Sequence, residues 1–297
     1  MTFAVLSEDM ELTAKNLGMF KELLYERCHL SFPESREMLL RRWITQFAEK
    51  GKYRSINDYY RALMEDRQEF ERLISMITTR ETYFFRMPAQ FEALRDVVIP
   101  AIVDREGSAS MKALSSGVPH RMRLRAWSSG CATGQEAYSL SMQILDSLRY
   151  PKAWDVKVLG TDINRDAIGL AKLGRYDSQR LGKTPSSFVE RYFTVCTPHE
   201  IVVSDEVKEI TEFRMLNLRD LPGEESLKNS FDIIFCRNVM IYFDLAAQQR
   251  LVSALSACLA PGGYLFTGEG EVLHLYDHSL EVLERGDAVY YRKRAEE

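Results

Sequence analysis

From residue 121 onward, short apolar runs alternate with helical patterns, and this alternation constrains the fold more than any other feature. Such a rhythm predicts a mostly parallel sheet with right-handed crossovers. The expected strands are 121–128, 156–162, 231–236, 264–267 and 288–292, and the expected helices are 136–149, 165–172 and 245–259. In such a sheet, ligands bind beyond the carboxyl ends of the parallel strands.

The N-terminal third has a different character, because helical periodicity continues through nearly all of residues 8–105. In residues 33–50, for example, apolar side chains recur at i, i+3 and i+4 spacing, and Gly51 suits the exit from the helix. Ser55 or Asn57 can cap the next helix. We therefore expect a bundle of helices here.

Two irregular stretches interrupt these patterns. Residues 107–120 contain glycine and serine without a clear period and predict a loop. Between about 188 and 213, short β-branched runs indicate a small antiparallel insertion. The expected domains are a helical domain at 1–87, a linker helix and loop at 88–120, and an α/β domain with this insertion at 121–297.

Charge and apolar content favour a globular protein without a nucleic-acid partner. The 297 residues carry a formal net charge of −4, and 45% of them are hydrophobic, so the chain lacks the basic field typical of nucleic-acid binding. No basic and apolar leader follows Met1, and no apolar run approaches the length of a membrane span. We expect a cytoplasmic monomer that does not insert into membranes.

Cysteine and histidine spacing argues against disulfides and metals. The five cysteines are scattered, without any Cys-x-x-Cys pair, which is typical of reduced thiols in a cytosolic protein. His274 and His278 share a face only if they are helical, and no third ligand lies near them in the sequence. We therefore expect no metal site.

A glycine loop follows the first strand of the α/β region. Gly130 and Gly134 allow backbone N–H groups to approach a ligand closely. The Gly-x-x-x-Gly spacing differs from the dinucleotide fingerprint, and Glu136 places an anion where a pyrophosphate excludes one. A cofactor with a cationic or neutral centre fits better, and S-adenosylmethionine, with its sulfonium, is the obvious candidate.

Polar residues at the ends of two further strands complete the expected edge. Asp162 follows the second strand, where an acid accepts hydrogen bonds from ribose hydroxyls. The alternative is that Asp162 only caps the helix that begins near Asn164. The Asn217 amide can form hydrogen bonds with the edge of an adenine, as both donor and acceptor, or it can stabilise a turn.

The segment Cys236-Arg-Asn-Val-Met-Ile-Tyr-Phe-Asp244, together with the Arg86-ending motif and the Gly130 loop, closely resembles the chemotaxis receptor glutamate methyltransferases (CheR). The resemblance covers nearly the whole chain. It implies an α/β, Rossmann-like methyltransferase sheet with an all-helical N-terminal domain and a small antiparallel β insertion. It also implies an enzyme that uses S-adenosylmethionine to esterify chemoreceptor glutamates and releases S-adenosylhomocysteine.

Roles for individual residues follow from the resemblance alone, position by position. The matching positions are Thr82 and Arg86 for the amino-acid end of the cofactor, Glu136 for its ammonium, Asp162 for the ribose, Asn217 and Leu218 for the adenine, Asn238 and Val239 for the methionyl side, and Tyr242 beside the transferring methyl. One position departs from the family, which usually has Asn where this chain has Arg80. We assign Arg80 no role.

The resemblance also implies a partner, the helical cytoplasmic domain of chemoreceptors. Arg41 and Arg42 fall on the polar side of their helix, where they either form a solvated face or dock onto acidic receptor helices. In some members of the family, the β insertion also docks a peptide from the receptor tail by adding a strand. Those members have a glycine-containing loop there, whereas this chain has no glycine between Tyr192 and Glu209. We therefore expect recognition without a tail-peptide tether.

A second function remains open for such a sequence, a catalytically silent adaptor that binds S-adenosylmethionine for signalling. An adaptor would retain Glu136 and Asp162 but lose the residues of methyl transfer. Asn238 and Tyr242 are both present, which favours the enzyme.

Overall fold

The computed structural model describes residues 10–78, 82–182, 184–271, 273 and 280–294. Arg80, His274 and His278 lie outside these residues, so what the sequence predicts for them stays untested.

Within the described residues, the N-terminal domain consists of four helices around a core of their own. They are α1 (Ala14–Cys28), α2 (Glu34–Lys50), α3 (Ile56–Glu65) and α4 (Arg67–Ile77). Ser55, rather than Asn57, caps α3, since its side chain accepts the Asp58 N–H at 3.1 Å. The apolar stripes of all four helices meet in one cluster that includes the fully buried Leu40 and Ile44. The expected helical bundle is therefore confirmed.

A long helical segment connects this bundle to the sheet. Helix α5 (Pro88–Ala93) continues through a π turn at Leu94–Val98 into α6 (Ile99–Ser115). The loop expected from residue 107 was therefore wrong over most of its length. Serine and alanine at these positions tolerate a helix, and the first left-handed residue that ends it is Gly117, with φ of 69°.

The remaining elements alternate as the sequence predicts. The strands are β1 (Arg123–Ser129), β2 (Asp155–Asp162), β3 (Arg175–Asp177), β4 (Phe193–Thr197), β5 (Glu200–Val203), β6 (Thr211–Met215), β7 (Phe231–Cys236), β8 (Leu259–Thr267), β9 (Leu280–Arg285) and β10 (Ala288–Lys293). The helices are α7 (Gln135–Ser147), α8 (Arg165–Leu173), α9 (Ser186–Tyr192), α10 (Asp205–Glu209) and α11 (Leu245–Cys258).

In the part of the chain that the structure describes, seven strands form the main sheet in the order β6-β2-β1-β7-β8-β10-β9. The pairs from β6 to β8 are parallel, and β10 runs antiparallel to both of its neighbours. The strand order reverses between β1 and β7, and such a switch point leaves a crevice beyond the carboxyl ends of the strands. The mostly parallel sheet is confirmed.

A small antiparallel sheet is also present, but it spans residues 175–203 instead of the expected 188–213. Its order is β3-β5-β4, so it begins at Arg175, and β6 belongs to the main sheet instead. The three residues of β3 are too short to give a periodic signal, which explains why sequence patterns missed them.

The helical bundle packs directly onto the switch point. Leu30 and Phe243 form an antiparallel bridge, and the Ser31 N–H donates to the Tyr242 carbonyl at 2.8 Å. Asn164 donates from its side chain to the Ser75 carbonyl at 3.2 Å. The bundle thus forms one wall of the crevice. Across the described parts of the chain, we find no helix both long and apolar enough to cross a membrane.

Candidate functional site

A cavity of about 270 Å³ lies at the switch point, between the sheet and the helical bundle. The cavity is lined by all nine residues to which the resemblance assigns a place at the cofactor or the transferring methyl: Thr82, Arg86, Glu136, Asp162, Asn217, Leu218, Asn238, Val239 and Tyr242. The cavity is slightly smaller than the roughly 300–1,000 Å³ typical of small-molecule sites. The structure therefore brings these residues together, while their individual roles stay predictions.

One side of the cavity is the glycine loop, residues 130–134. Its turn is fixed by the N–H groups of Gly130 and Cys131, which both donate to the Thr161 carbonyl, at 2.7 and 2.8 Å. Gly130 and Gly134 have φ values of 89° and 97°, which residues with a Cβ rarely adopt. A Cβ on Gly130 would also collide with Val239 from the opposite side of the cavity.

The opposite side is the β7 loop, residues 237–243, whose first residue is a buried arginine. The Arg237 Nε donates to Glu136 at 2.8 Å, and its Nη1 donates to the Arg86 carbonyl at 2.7 Å and to Gln90 at 3.0 Å. Glu136 also accepts the Ser128 hydroxyl at 2.7 Å. The carboxylate expected to meet the cofactor ammonium is thus already paired with a guanidinium.

Two buried polar atoms beside the cavity, Nη2 of Arg237 and Oδ1 of Asn238, have no hydrogen-bond partner among the residues that the structure describes. Unpaired buried groups are costly unless a ligand satisfies them. A donor and an acceptor on adjacent residues suit a ligand that carries both kinds of group, as the methionine end of S-adenosylmethionine does. The cavity therefore fits that cofactor.

Asp162 ends β2 and holds the glycine loop from the side. Its Oδ2 accepts the Ala132 N–H at 2.9 Å, and its Oδ1 accepts the Asn164 N–H at 2.8 Å. The cap of α8 is Asn164 itself, which accepts the Ala167 N–H at 3.0 Å. The alternative that Asp162 caps this helix is therefore wrong.

The Asn217 amide forms bonds within the protein. Its oxygen accepts the Arg219 N–H at 3.2 Å, and its nitrogen donates to the Arg27 carbonyl at 2.7 Å. The turn-stabilising role is thus present in the structure, and the residue ties the bundle to the sheet as well. Reading of an adenine edge by Asn217 stays a prediction.

Thr82 and Arg86 reach the cavity from the segment between α4 and α5. Thr82 is buried, whereas Arg86 is half-buried with its guanidinium 5.8 Å from the centre of the Tyr83 ring. Among the described residues, Arg86 has no ion pair. A cation without a carboxylate partner suits the carboxylate of a ligand.

Tyr242 lies where the cavity meets the helical bundle. The guanidinium of Arg36, on α2, lies 5.2 Å from the centre of the Tyr242 ring and donates to the Ile241 carbonyl at 3.3 Å. Ile241 lines the cavity and is exposed, so this is the mouth of the site. Arg36 therefore adds positive charge at the mouth.

The cysteines near the cavity are not nucleophiles. Burial raises the pKa of the Cys28 thiol to about 12 and that of Cys131 well above its usual range, so both thiols stay protonated. No group of three His, Cys, Asp or Glu side chains suitable for a metal occurs within the described ranges.

Sequence reasoning missed two charged residues, Arg237 and Arg36. Arg237 adjoins Asn238 within the segment that carries the family resemblance, so its position was a usable signal. Nothing in the sequence pairs it with Glu136, 101 residues away. For Arg36, helical spacing indicates only a polar face of α2.

Comparison with known proteins agrees with this fold and site. The family described as CheR methyltransferase, SAM binding domain, matches residues 80–289, and the CheR methyltransferase all-alpha domain matches residues 15–78. A chemotaxis protein methyltransferase 1 of Pseudomonas aeruginosa is 29% identical over 291 residues, which cover 96% of this chain and all of that one. A probable chemotaxis protein methyltransferase of Rhizobium etli is 33% identical over 69% of this chain and 74% of its own length.

The sheet and its cavity thus define an S-adenosylmethionine-dependent methyltransferase. The chain belongs to the CheR methyltransferase family.

Proposed function

We propose that the chain works in the cytoplasm, where it esterifies glutamate side chains on the helical cytoplasmic domain of chemoreceptors. The observation that carries the proposal is the cavity lined by all nine residues that match the family. The names of the relatives, chemotaxis protein methyltransferases, support the choice of acceptor.

The acceptor needs no general base. A glutamate side chain has a solution pKa of about 4.3, so it is already an ionised nucleophile at neutral pH. S-adenosylmethionine, when bound, supplies an electrophilic methyl on a sulfonium. The task of the protein is to align the carboxylate and exclude water, and alignment of this kind can contribute several kcal/mol.

Residues at the two ends of the cavity have different tasks in this proposal. Arg86 holds the carboxylate of the cofactor, and Glu136 with Arg237 holds its amino group and the adjacent polar atoms. At the mouth, Arg36 attracts the acceptor carboxylate, and the Tyr242 hydroxyl orients it. The position of Arg36 over the Tyr242 ring supports this division.

The docking surface for the receptor is the exposed side of α2. Arg41 is less available for docking than the sequence suggests, because it pairs with Glu37 at 3.1 Å and donates to the Leu12 carbonyl at 2.7 Å. Arg42 is exposed, and the described residues provide no ion-pair partner for it. We therefore assign docking on acidic receptor helices to Arg42.

A tail-peptide tether is not part of the proposal. Strand β4 is an exposed edge of the small sheet, but its register shifts between Val195 and Thr197. An irregularity in an edge strand opposes the addition of another strand. Calorimetric titration with peptides from the C-terminal tails of the organism's own chemoreceptors should show no binding. Micromolar binding that substitutions in β4 abolish would contradict this.

The reaction is tested with labelled S-adenosylmethionine and a purified cytoplasmic fragment of a chemoreceptor. Label should appear on the fragment and be released as methanol by mild base, as expected for a methyl ester. Tyr242→Phe should lower kcat by about tenfold, the loss of one hydrogen bond, and leave cofactor affinity nearly unchanged. Cofactor binding without any transfer by the unmodified protein would favour the adaptor.

A further inference from the structure

The carboxylate of Glu271 holds the β7 loop from behind. Its Oε2 accepts the N–H groups of Asn238 and Gly268, each at 2.7 Å, and its Oε1 accepts the Ile241 N–H at 3.2 Å. Glu271 is buried but does not line the cavity. It therefore contacts the backbone of the site and not the ligand.

The surrounding turn fixes this carboxylate in place. The Glu271 N–H donates to the Gly268 carbonyl at 3.0 Å, and the Thr267 hydroxyl donates to the Glu271 carbonyl at 2.7 Å. A Cβ on Gly268 would lie only 2.7 Å from the Asn238 nitrogen and would also meet the carboxylate. Only glycine at position 268 allows the two segments to approach so closely.

The loop needs such support because its conformation is unfavourable. Asn238 has φ of 58°, which costs free energy in a residue with a side chain. Val239, Ile241 and Tyr242 follow it along the cavity wall. Bonds to the N–H groups of Asn238 and Ile241 span the part of the loop that leads to Tyr242.

We propose that Glu271 is a positioning residue for methyl transfer, which sets the place of Tyr242 by fixing the backbone of residues 238–241. This inference rests on the proposed function, because it assigns Tyr242 to the acceptor. Glu271 touches neither substrate, so its removal should lower kcat while the ribose and ammonium contacts of the cofactor stay intact.

The first test is Glu271→Gln, with Glu269→Gln as the matched control. Glu269 lies in the same turn and is exposed. The amide that replaces the carboxylate presents an N–H to backbone donors, so one bond to the loop is lost.

We expect hydrogen exchange of the Asn238 and Ile241 amides to accelerate about tenfold, and kcat to fall about tenfold. The Kd for S-adenosylhomocysteine should change less than kcat does, because Asn238 and Val239 form only part of the cofactor site. The control should change none of these values.

The second test separates positioning from general stability. Wild type, Glu271→Gln, Tyr242→Phe and the double variant form a cycle in kcat, measured on the receptor fragment well below the unfolding temperature. If Glu271 acts through Tyr242, the Glu271→Gln change should cost much less when it is made in the Tyr242→Phe variant than in wild type. If the fold losses of kcat in the two single variants multiply fully in the double variant, the inference is overturned. It is also overturned if the single Glu271→Gln variant has the hydrogen exchange rates and the kcat of wild type.

Glu271→Asp extends the tests if the glutamine variant does not fold. It keeps the charge but withdraws the carboxylate by one methylene, and it should give the same faster exchange. A wild-type protein that transfers no methyl would instead reject the proposed function. The exchange measurement, which needs no acceptor, would still decide whether Glu271 holds the loop.

Discussion

The glycine loop after β1 and the β7 loop face each other across the same cavity, but they hold their shapes by different means. The glycine loop depends on residues without a Cβ, on the Thr161 carbonyl and on the half-buried Asp162 carboxylate. The β7 loop depends on buried ionised groups, the Arg237–Glu136 pair and the Glu271 carboxylate. Substitutions at the two glycines should therefore act by steric strain, whereas substitutions of the groups that hold the β7 loop should act by leaving a buried charge or donor unpaired.

The largest effect should come from breaking the buried ion pair. Arg237→Met leaves Glu136 without its guanidinium, and the two side chains are only 1% and 10% exposed. We expect the free energy of unfolding of the ligand-free protein to fall by about 3–5 kcal/mol in urea titrations. Arg175→Met, which breaks the exposed pair with Glu200, should change it by about 0.5 kcal/mol or less. Equal effects of the two substitutions would remove the contrast.

Adding Glu136→Gln to Arg237→Met sharpens this test. With both charges gone, no buried charge is left unpaired, so the double variant should be more stable than Arg237→Met alone. If the losses in the free energy of unfolding caused by Arg237→Met and Glu136→Gln simply add, the two side chains stabilise the protein by packing and not by charge pairing.

The next effect concerns the acid that supports the glycine loop. Asp162→Asn keeps the shape of the side chain but loses a charged acceptor beside the cavity. We expect S-adenosylhomocysteine to bind about 10–100-fold more weakly in calorimetry, as for hydrogen bonds to a charged group. Asp104→Asn, an exposed change on α6, should leave the Kd unaltered. An unaltered Kd in Asp162→Asn would remove the ribose assignment.

Steric strain in the glycine loop should have a smaller effect on stability. Gly134 has φ of 97°, and an added Cβ would lie 2.8 Å from the Ala171 Cβ. Gly134→Ala should lower the free energy of unfolding by about 1–3 kcal/mol. Gly169→Ala, in α8 with open space around it, should instead raise it by about 0.5–1 kcal/mol. A neutral Gly134→Ala variant would show that the loop relaxes without cost.

The same contrast explains what the sequence could predict. The glycine loop could be predicted from the sequence because Gly130, Gly134 and Asp162 each follow a strand pattern. The local conformation of the chain then determines where these residues lie. The β7 loop could be predicted only from the resemblance to the methyltransferase family. Its supports come from Glu136, 101 residues before Arg237, and from Glu271, 33 residues after Asn238. Partners this distant leave no periodic signal.

The linker shows the opposite failure, in which local signals were present but misleading. Gly107 and the serines after it indicate a loop, yet α6 continues to Ser115. Packing accounts for this, because Ile99 and Ile102 are buried in the core and anchor the start of the helix. Tertiary contacts thus outweighed weak propensity, and helix formation is cooperative once started.

The smallest effect should be a dependence of stability on pH that has opposite signs for two carboxylates. Burial raises the pKa of Glu271, against the opposing effect of the backbone N–H groups. A carboxyl whose folded pKa is raised binds its proton more readily in the folded state, so its contribution to stability is largest at low pH. That contribution declines as the pH rises through the folded pKa.

Asp96 differs, because hydrogen bonds from Arg95 lower its pKa to about 2. Its contribution is present above the unfolded pKa and is lost on acidification. Urea titrations between pH 3 and 8 should therefore show the stability difference between wild type and Glu271→Gln shrinking as pH rises, and that between wild type and Asp96→Asn growing. Slopes of the same sign would mean that the β7 loop is not held by a desolvated carboxylate.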